Sequence, residues 1–510
     1  MSKTTARPDA GIPAEHLAAL SHEFRTPLNG VIGMARLLEG TRLTAEQRAY
    51  VTALTESGDH LLGLVNDILD YAKLGAGRVD LNTAPVTPED LLRSVCELLS
   101  PRAHEKGLEI GWAAEAGLAP ILADEGRLKQ ILLNLAGNAV KFVGAGGVLV
   151  LAERAGEDRL RFTVSDTGPG VPEHLRDSIF EAFAQADPSE GARQGGAGLG
   201  LAIARRLAEA MDGELGVDSR EGRGADFWFE AKFEIAGSQD TARSLAGHTI
   251  GVASPSAIVR EAAARQIESC GGKAVRAQGL DEAVRRTDDG GVILVDHLLA
   301  AEGRPIPPPT GRAGVVLVRP EERERLAAYR AEGFTGYLIK PLRRASLVER
   351  VLAARGAAPA ADDDRIAPRR TLATPTAGGV RVLLAEDNPI NAMLERTLLR
   401  REGASAEHVK SGEEALDALQ HGSFDLVLMD VRMPGLSGLE ATRALRARGV
   451  TTPVVALTAN AFEDDRRACL DAGMDDFLVK PLSPEALRAA LGRWTGPGWT
   501  REKRRAKVAS

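Results

Sequence analysis

Apolar residues recur at intervals of three and four near the start of the chain, which is the period of an amphipathic helix. The pattern covers residues 14–40, breaks at Gly40-Thr41 and runs again from Thr44 to about Leu74. Two such helices cannot hide their apolar stripes from water by themselves. We therefore expect the hairpin to pair with a second copy in a four-helix bundle, which makes the protein a homodimer.

Short apolar runs alternate with helical patterns along the rest of the chain. In a mixed α/β region, strand-like runs cover residues 148–154, 160–166 and 226–233. Two later regions resemble each other: each has an apolar run that ends in aspartate, VILVD at Asp296 and LVLMD at Asp430, and a later run that ends in Lys-Pro. Such runs are typical of parallel strands buried on both faces. Each region should form a doubly wound (βα)5 fold with its site at the carboxyl ends of the strands.

These patterns predict four domains with a tail at each end. The predicted segments are a tail (1–13), the helical hairpin (14–78), a mixed α/β domain (85–236), a first (βα)5 domain (247–355), a linker (356–378), a second (βα)5 domain (380–493) and a basic tail (494–510). The linker is rich in Ala, Pro, Asp and Arg, a composition that forms no packed core.

Composition narrows the class of protein. The 510 residues are 44% hydrophobic and 26% charged, as in ordinary globular proteins, and the net charge of −7 argues against general nucleic-acid binding. Cys96, Cys270 and Cys469 stand far apart, which fits a reducing compartment and excludes a disulfide framework or a thiolate zinc site. The start, MSKTTARPDA, lacks a signal-peptide core, and no apolar run reaches the roughly 20 residues of a membrane helix. We expect a cytoplasmic protein that does not bind membranes.

The motif SHEFRTPLNG places His22 on the first predicted helix, directly before Glu23. A neutral imidazole is a nucleophile for phosphorus, and an adjacent carboxylate can take its proton or orient the ring. Pro27 lacks the backbone N–H that would donate a hydrogen bond to the carbonyl of Glu23, so the helix can bend just below His22. An exposed helix histidine without chemistry is the plainer alternative for a lone histidine.

Four segments have the composition of a nucleotide site. Asn134 and Asn138 lie four apart on one predicted helix face, followed by Lys141. Asp166-Thr167-Gly168-Pro169-Gly170 ends a strand, and Phe180 and Phe183 follow it. A glycine-rich run then opens a helix, where backbone amides and the helix dipole favour phosphate. The residues of this run are Gly195, Gly196, Ala197, Gly198, Leu199, Gly200 and Leu201.

The last domain collects acidic residues at its strand ends. Glu386 and Asp387 follow the first strand and Asp430 ends the third, while Thr458 and Lys480 end the fourth and fifth. Two carboxylates about 4 Å apart repel by about 4 kcal/mol at an effective dielectric of about 20, and a divalent cation offsets this. Ligand sets made only of oxygen favour Mg²⁺. Lys480 can neutralise a phosphoryl group that arrives there, and Thr458 can donate a hydrogen bond to it.

The preceding domain is expected to have the same fold but lacks the matching acidic residues and the threonine. Matching its ASPSA to AEDNP puts Ser254 opposite Glu386 and Pro255 opposite Asp387, and Val318 stands opposite Thr458. Asp296 therefore has no acidic pair, and we expect neither Mg²⁺ binding nor phosphorylation there. Its last strand ends carry arginines and a tyrosine, which suit a planar ligand with phosphates. These residues are Arg319, Arg323, Arg325, Tyr337, Arg343 and Arg344.

The order of these motifs resembles the hybrid histidine kinases of two-component signalling over nearly the whole chain. The resemblance implies that His22 is phosphorylated from ATP, that Glu23 is its acid/base and that Thr26 positions water for dephosphorylation. The four nucleotide segments resemble the N, G1, F and G2 boxes of the Bergerat-type ATPase fold. By that likeness Asn138 ligates Mg²⁺, Lys141 contacts phosphate and Asp166 binds the adenine amino group. Ala197 departs from the family, which often has Thr or Ser there.

The resemblance also assigns roles to the two (βα)5 domains. The last, which we call the receiver, accepts phosphate on Asp430, has Phe477 as its aromatic switch and passes phosphate to a separate histidine phosphotransfer protein. The earlier one, which we call the middle domain, is similar to the pseudo-receiver of ShkA-type kinases and binds cyclic di-GMP. Its expected contacts are Arg323, Tyr337, Ile339, Pro341 and Arg343. Linker residues that can mimic phosphate on those arginines are Asp362, Asp363, Asp364 and Arg365.

Three alternatives stay open at this stage. The arginines of the middle domain can instead form a solvated face packed on a neighbouring domain. The whole chain can be a non-catalytic scaffold for a second messenger, with a vestigial ATP site. A gyrase-type machine that hydrolyses ATP without using His22 would carry the same glycine-rich boxes.

Overall fold

A computed structural model describes most of the chain, and its described residues form two compact units. The described residues are 27–35, 38–39, 41–75, 81–156, 158–184, 198–219, 221–237, 243–300, 305–356, 379–458, 463–480 and 482–495. One unit takes those from 64 to 356, and the other takes those of 27–63 and 379–495.

The predicted helical hairpin is present where the structure describes it. Residues 27–35 are helical, and helix α1 spans Ala45–Gly75, within a residue of the predicted bounds. Ile32 is buried against α1 at Gly58, where an added Cβ would lie 2.6 Å from the Ile32 side chain, so the close approach requires glycine. Leu54, Leu61 and Ile68 recur every seven residues of α1 and are about half exposed. The described residues cover this apolar stripe of the helix only in part.

The nucleotide domain, predicted at residues 85–236, is an α/β sandwich. Its helices are α2 (Pro88–Glu105), α3 (Glu125–Phe142) and α4 (Gly200–Ala210). Its strands are β1 (Ala84–Val86), β2 (Glu109–Ala114), β3 (Ile121–Ala123), β4 (Gly147–Arg154), β5 (Arg159–Asp166), β6 (Glu214–Ser219), β7 (Ala225–Lys232) and β8 (Glu234–Ile235). The main sheet has the order β2-β4-β5-β7-β6, in which β2 pairs with β4 in parallel and the other pairs are antiparallel. The three helices pack their apolar stripes on one face of this sheet.

The middle domain has a fully parallel sheet of order β10-β9-β11-β12-β13. Its strands are β9 (Thr249–Ala253), β10 (Lys273–Ala277), β11 (Val292–Asp296), β12 (Ala313–Val318) and β13 (Gly336–Ile339). Its helices are α5 (Ala257–Ser269), α6 (Leu280–Arg286), α7 (Leu326–Glu332) and α8 (Arg344–Ala354). Two apolar clusters, one on each face, confirm a doubly wound fold.

The receiver repeats this topology, with strand order β15-β14-β16-β17-β18. Its strands are β14 (Arg381–Ala385), β15 (Ser405–Val409), β16 (Leu426–Asp430), β17 (Val454–Thr458) and β18 (Asp476–Val479). Its helices are α9 (Pro389–Arg401), α10 (Gly412–His421), α11 (Gly438–Ala447), α12 (Glu463–Asp471) and α13 (Pro484–Thr495). Every residue of β16 and β17 is buried, as the apolar runs predicted. Among the helices described in the two units, none has the length and apolar character needed to span a membrane.

Candidate functional sites

The amide side chains predicted to bind nucleotide project from helix α3. Asp124 caps the start of this helix by accepting a hydrogen bond from the Arg127 amide at 3.0 Å. Asn134 and Asn138 lie one turn apart on it and are half-buried. The Asn134 side chain donates to the Gly200 carbonyl at 3.0 Å, which ties α3 to the first turn of α4. The N box and the last glycine of the G2 box are therefore in direct contact.

Asp166, the residue expected to accept from adenine, ends strand β5. Its Oδ1 accepts a hydrogen bond from the Gly168 amide at 2.7 Å. An added Cβ at Gly168 would lie 2.9 Å from that same oxygen, so a side chain there would displace the carboxylate. Burial raises the pKa of Asp166, while the backbone amides of Gly168 and Ala225 lower it. A half-buried carboxylate with a fixed orientation is suited to accept from an amino group.

The glycine-rich run is described only from Gly198 onward, so Gly196 lies outside the described residues. Gly198 has a φ of 68°, and an added Cβ would lie 2.7 Å from the Ala184 carbonyl oxygen. Its own carbonyl accepts from the Phe183 amide at 3.0 Å. Gly200 and Leu201 open helix α4. The F box thus holds the start of the helix whose amide end was expected to face phosphate. Gly170 also adopts a positive φ, of 74°.

Lys141 lies in the last turn of α3, close to two other cations. Burial lowers the pKa of Lys141, and the neighbouring charges of Arg102 and Lys106 lower it further. The Lys141 Nζ lies 4.9 Å from the centroid of the Phe142 ring. The positive charges of Lys141, Arg102 and Lys106 lie together at this end of α3 and favour an anionic ligand.

The receiver brings its predicted acidic residues together at one sheet edge. Glu386, Asp387 and Asp430 each offer a carboxylate oxygen within 4.8 Å of the others, which suits a Mg²⁺ ion. Lys480 Nζ donates to Asp430 Oδ2 at 2.6 Å and also to Glu386. Thr458 ends β17, directly beside β16 and its terminal Asp430.

Burial and charge act in opposite directions in this cluster. Burial raises the pKa of Glu386, Lys480 lowers it and Asp430 raises it. Burial alone would lower the pKa of Lys480, but Asp430 and Glu386 together raise it. Lys480 is therefore held charged beside Asp430, the carboxylate that is expected to take phosphate.

Phe477, the expected aromatic switch, lies on β18, with the Arg466 guanidinium 5.4 Å from its ring centroid.

The equivalent pocket of the middle domain has a different pairing. Ser254 Oγ donates to Asp296 Oδ2 at 2.6 Å, in the place where the receiver has Glu386. Lys340 Nζ donates to the other Asp296 oxygen at 3.0 Å. Across the described residues, a group of three metal-type ligands was found in the receiver and not here. Asp296 is thus paired with a neutral serine and a lysine, where Asp430 shares its lysine with Glu386.

The residues expected to contact cyclic di-GMP lie on the last strand, just after it and in a short helix before it. Tyr337 and Ile339 are two apart on β13 and half-buried. Pro341 and Arg343 follow the end of the strand and are also half-buried. Arg323 lies in a short 3-10 helix, Pro320–Arg325. Its Nη2 atom is buried and has no hydrogen-bond partner among the described residues.

Several arginines of the middle domain are paired with the nucleotide domain. Arg343 Nε donates to Glu97 Oε1 at 2.8 Å, and Arg344 pairs with Glu89. Burial raises the pKa of Glu89 and Arg344 lowers it. Packing on a neighbouring domain, which the sequence left open, is thus part of the arrangement.

Two buried carboxylates were missed in the sequence. Glu395 faces inward from α9, and burial raises its pKa well above the ordinary value, with Glu386 adding to the shift. It stands three residues after Ala392 and three before Leu398, at an inward position of the apolar stripe, and that pattern was the available signal. Glu109, on β2, is also buried. Its position at the start of a strand carried no comparable signal.

Other predicted residues cannot be placed. His22, Glu23 and Thr26 precede the described part of the first helix, and the four linker residues Asp362, Asp363, Asp364 and Arg365 fall between the described ranges. Their assignments stay predictions from the sequence.

Three parts of the chain match models of known families. Residues 14–77 match the His Kinase A (phospho-acceptor) domain, residues 123–235 match the histidine kinase-, DNA gyrase B- and HSP90-like ATPase, and residues 382–492 match the response regulator receiver domain. These are the domains that the motifs predicted, in the predicted order.

The chain is also similar to complete signalling proteins. Sensor histidine kinase GacS of Pseudomonas protegens is 36% identical over 529 residues, covering 95% of this chain and 55% of the relative. Signal transduction histidine-protein kinase BarA of Escherichia coli K12 is 30% identical over 516 residues, covering 97% of this chain and 55% of the relative. The chain thus spans about half the length of these relatives.

One solved structure matches nearly all of this chain over its own full length. Full-length ShkA, in complex with AMPPNP, is 56% identical, covers 95% of this chain and 100% of its own, and has a TM-score of 0.63. Phospho-acceptor, ATPase and receiver domains in one polypeptide define a two-component signalling protein. The chain belongs to the hybrid sensor histidine kinases.

Proposed function

We propose that this protein transfers the γ-phosphoryl group of ATP to His22 and then to Asp430. The observation that carries the proposal is the contrast between the two (βα)5 domains. The receiver has three carboxylates and a lysine in one cluster, whereas the middle domain has one aspartate bonded to a serine and a lysine. A chain that keeps one complete acceptor and one altered copy has a single destination for phosphate.

The nucleotide site supports the first step of this relay. Asp166 and Asn134 are fixed by hydrogen bonds, and the Gly198 carbonyl is held by the Phe183 amide. When bound, Mg²⁺ screens the charge of the triphosphate against attack by imidazole, and Asn138 is the residue that would hold it. Glu386, Asp387 and Asp430 would hold a second Mg²⁺ at the acceptor.

Labelled ATP with Mg²⁺ tests the relay against its two rivals. A scaffold with a vestigial site stays unlabelled. A gyrase-type machine releases labelled phosphate and retains none on the protein. The proposed relay leaves label on the chain in two forms, an alkali-stable phosphohistidine and an alkali-labile aspartyl phosphate.

The oligomeric state and the next partner belong to the same proposal. The half-exposed stripe of Leu54, Leu61 and Ile68 on α1 fits a four-helix bundle made with a second copy. The next acceptor after Asp430 is then a separate histidine phosphotransfer protein, as the resemblance to hybrid kinases implies.

We further propose that cyclic di-GMP binds the middle domain and activates the kinase. The support is a shared residue: Arg343, an expected ligand contact, is already paired with Glu97 of the nucleotide domain. A phosphate of the dinucleotide and the Glu97 carboxylate would compete for one guanidinium. Binding of the ligand would therefore weaken an interdomain contact, and only such a differential interaction can shift a conformational equilibrium.

Calorimetry with cyclic di-GMP should detect binding to the wild type. Arg343→Ala should weaken it by about 10- to 100-fold, the value of one charge-assisted hydrogen bond. Glu97→Gln should tighten it, because the competing carboxylate is gone. Arg276→Ala is the matched control, since this arginine of the same domain pairs with Glu261 and Glu268 and should leave affinity unchanged. Absence of heat with the wild type would contradict the assignment.

A further inference from the structure

A carboxylate from the nucleotide domain occupies the altered pocket of the middle domain. Glu109 is the first residue of β2, at the edge of the main sheet. Its Oε1 accepts from Lys340 Nζ at 3.1 Å and from the Arg319 guanidinium at 2.6 and 3.0 Å. The Glu109 and Lys340 side chains are 3% and 2% exposed. Charges this deeply buried persist only when they are paired.

The equivalent lysines of the two (βα)5 domains thus receive their second carboxylate partner from different places. In the receiver, Lys480 contacts Asp430 and the acid of the first strand, Glu386. In the middle domain, Lys340 contacts Asp296, and the first-strand acid has become Ser254, which is neutral. The second carboxylate on Lys340 comes instead from Glu109, which is more than 200 residues away in sequence.

The surfaces around this contact fit closely. Helix α5 of the middle domain lies on the edge of the nucleotide-domain sheet, where an added Cβ at Gly111 would be 2.7 Å from the Ala262 Cβ. Gln266 donates to the Trp112 carbonyl at 2.8 Å. An apolar cluster joins the two surfaces, and its members are Ala113, Leu149, Leu151, Ile258 and Ala262. Apolar contacts are non-directional and occur in many interfaces. The pairing of the buried charges is directional and is particular to this interface.

We propose that the altered phosphorylation pocket of the middle domain is a carboxylate receptor, and that Glu109 is the group it binds. The pocket has kept the lysine that receivers use beside a phosphoryl group and has gained Arg319 as a second cation. It has exchanged a covalent acceptor for an interdomain docking site. Glu109 is a docking residue and takes no part in the chemistry of phosphate transfer.

A distance measurement between the two domains tests the docking. Spin labels are attached to cysteines introduced at Lys232 and Glu332, which are exposed on the nucleotide and middle domains, while the native cysteines are buried. The parent chain should give one narrow distance. Glu109→Gln removes the carboxylate that Lys340 and Arg319 share and leaves Asp296 as the buried carboxylate beside Lys340. The ratio of docked to released chains should therefore fall on the order of 100-fold, and the distribution of distances should broaden.

Glu153→Gln is the matched control. Glu153 pairs with Arg265 across the same pair of domains, but both side chains are over a third exposed. Losing this pair should change the docked ratio by less than about fivefold. Equal broadening in Glu109→Gln and Glu153→Gln, or a narrow distance in Glu109→Gln, would overturn the proposal.

A second variant guards against simple misfolding. If Glu109→Gln no longer binds a non-hydrolysable ATP analogue, Arg319→Gln takes its place, since it removes a cation from the middle domain and leaves the nucleotide domain unaltered. It should release the contact while analogue binding stays intact, and a retained narrow distance would again overturn the proposal. The measurement requires neither phosphorylation nor cyclic di-GMP, so its outcome is independent of the proposed function.

Discussion

Replacing His22 by glutamine should lower the incorporation of phosphate from ATP on the order of 1,000-fold or more, to background. Glutamine keeps the size and polarity of the side chain and removes the nucleophilic imidazole. Because Asp430 is charged only through His22 in the proposed relay, label should vanish from both sites together. Phosphate on the intact chain, separated into alkali-stable and alkali-labile fractions, measures this.

Asp430→Asn should have the opposite signature. The first transfer is unaffected, so label accumulates as alkali-stable phosphohistidine and the alkali-labile fraction disappears. Asp296→Asn is the matched control, because it makes the same change at the same strand end of the middle domain. That variant should still produce aspartyl phosphate. Alkali-labile label that persists in His22→Gln, or that is lost in Asp296→Asn, would contradict the assignment of donor and acceptor.

Replacing Asp166 by asparagine should weaken ATP binding by about 10- to 100-fold. The carboxylate is fixed by the Gly168 amide at 2.7 Å, and its half-buried position prevents water from substituting fully. An asparagine there presents either a weaker acceptor or an amino group that faces the adenine amino group. Calorimetry with a non-hydrolysable ATP analogue measures the change.

Asp226→Asn provides the control for that measurement. Asp226 lies on β7, opposite Ser165 near the end of β5, and its side chain is exposed. The substitution removes a negative charge near the site without removing the expected contact, so affinity should stay within about twofold of the wild type. Equal losses in both variants would assign the effect to local charge and would reject Asp166 as the adenine acceptor.

Periodicity along the chain determined much of the fold. The helical pattern from Thr44 predicted the bounds of α1 to within a residue, and the strand runs located β4, β5 and β7 equally well. These elements obey local rules, since a side chain's face follows from its position in a repeat of 3.6 or 2 residues. Strand ends in a parallel sheet meet at one edge, so the cluster of Glu386, Asp387 and Asp430 was predictable as well.

The pairing of charges between domains depended on tertiary structure alone. Arg343 was an expected ligand contact, and Arg319 belonged to the group of arginines that suit a phosphate-bearing ligand. Only the folded chain places Glu97 and Glu109 against them. Which carboxylate meets which cation is decided by how two rigid surfaces dock, and such docking leaves no period in the sequence. The sequence therefore determined that the middle domain had lost its acid, and the tertiary structure decided what replaced it.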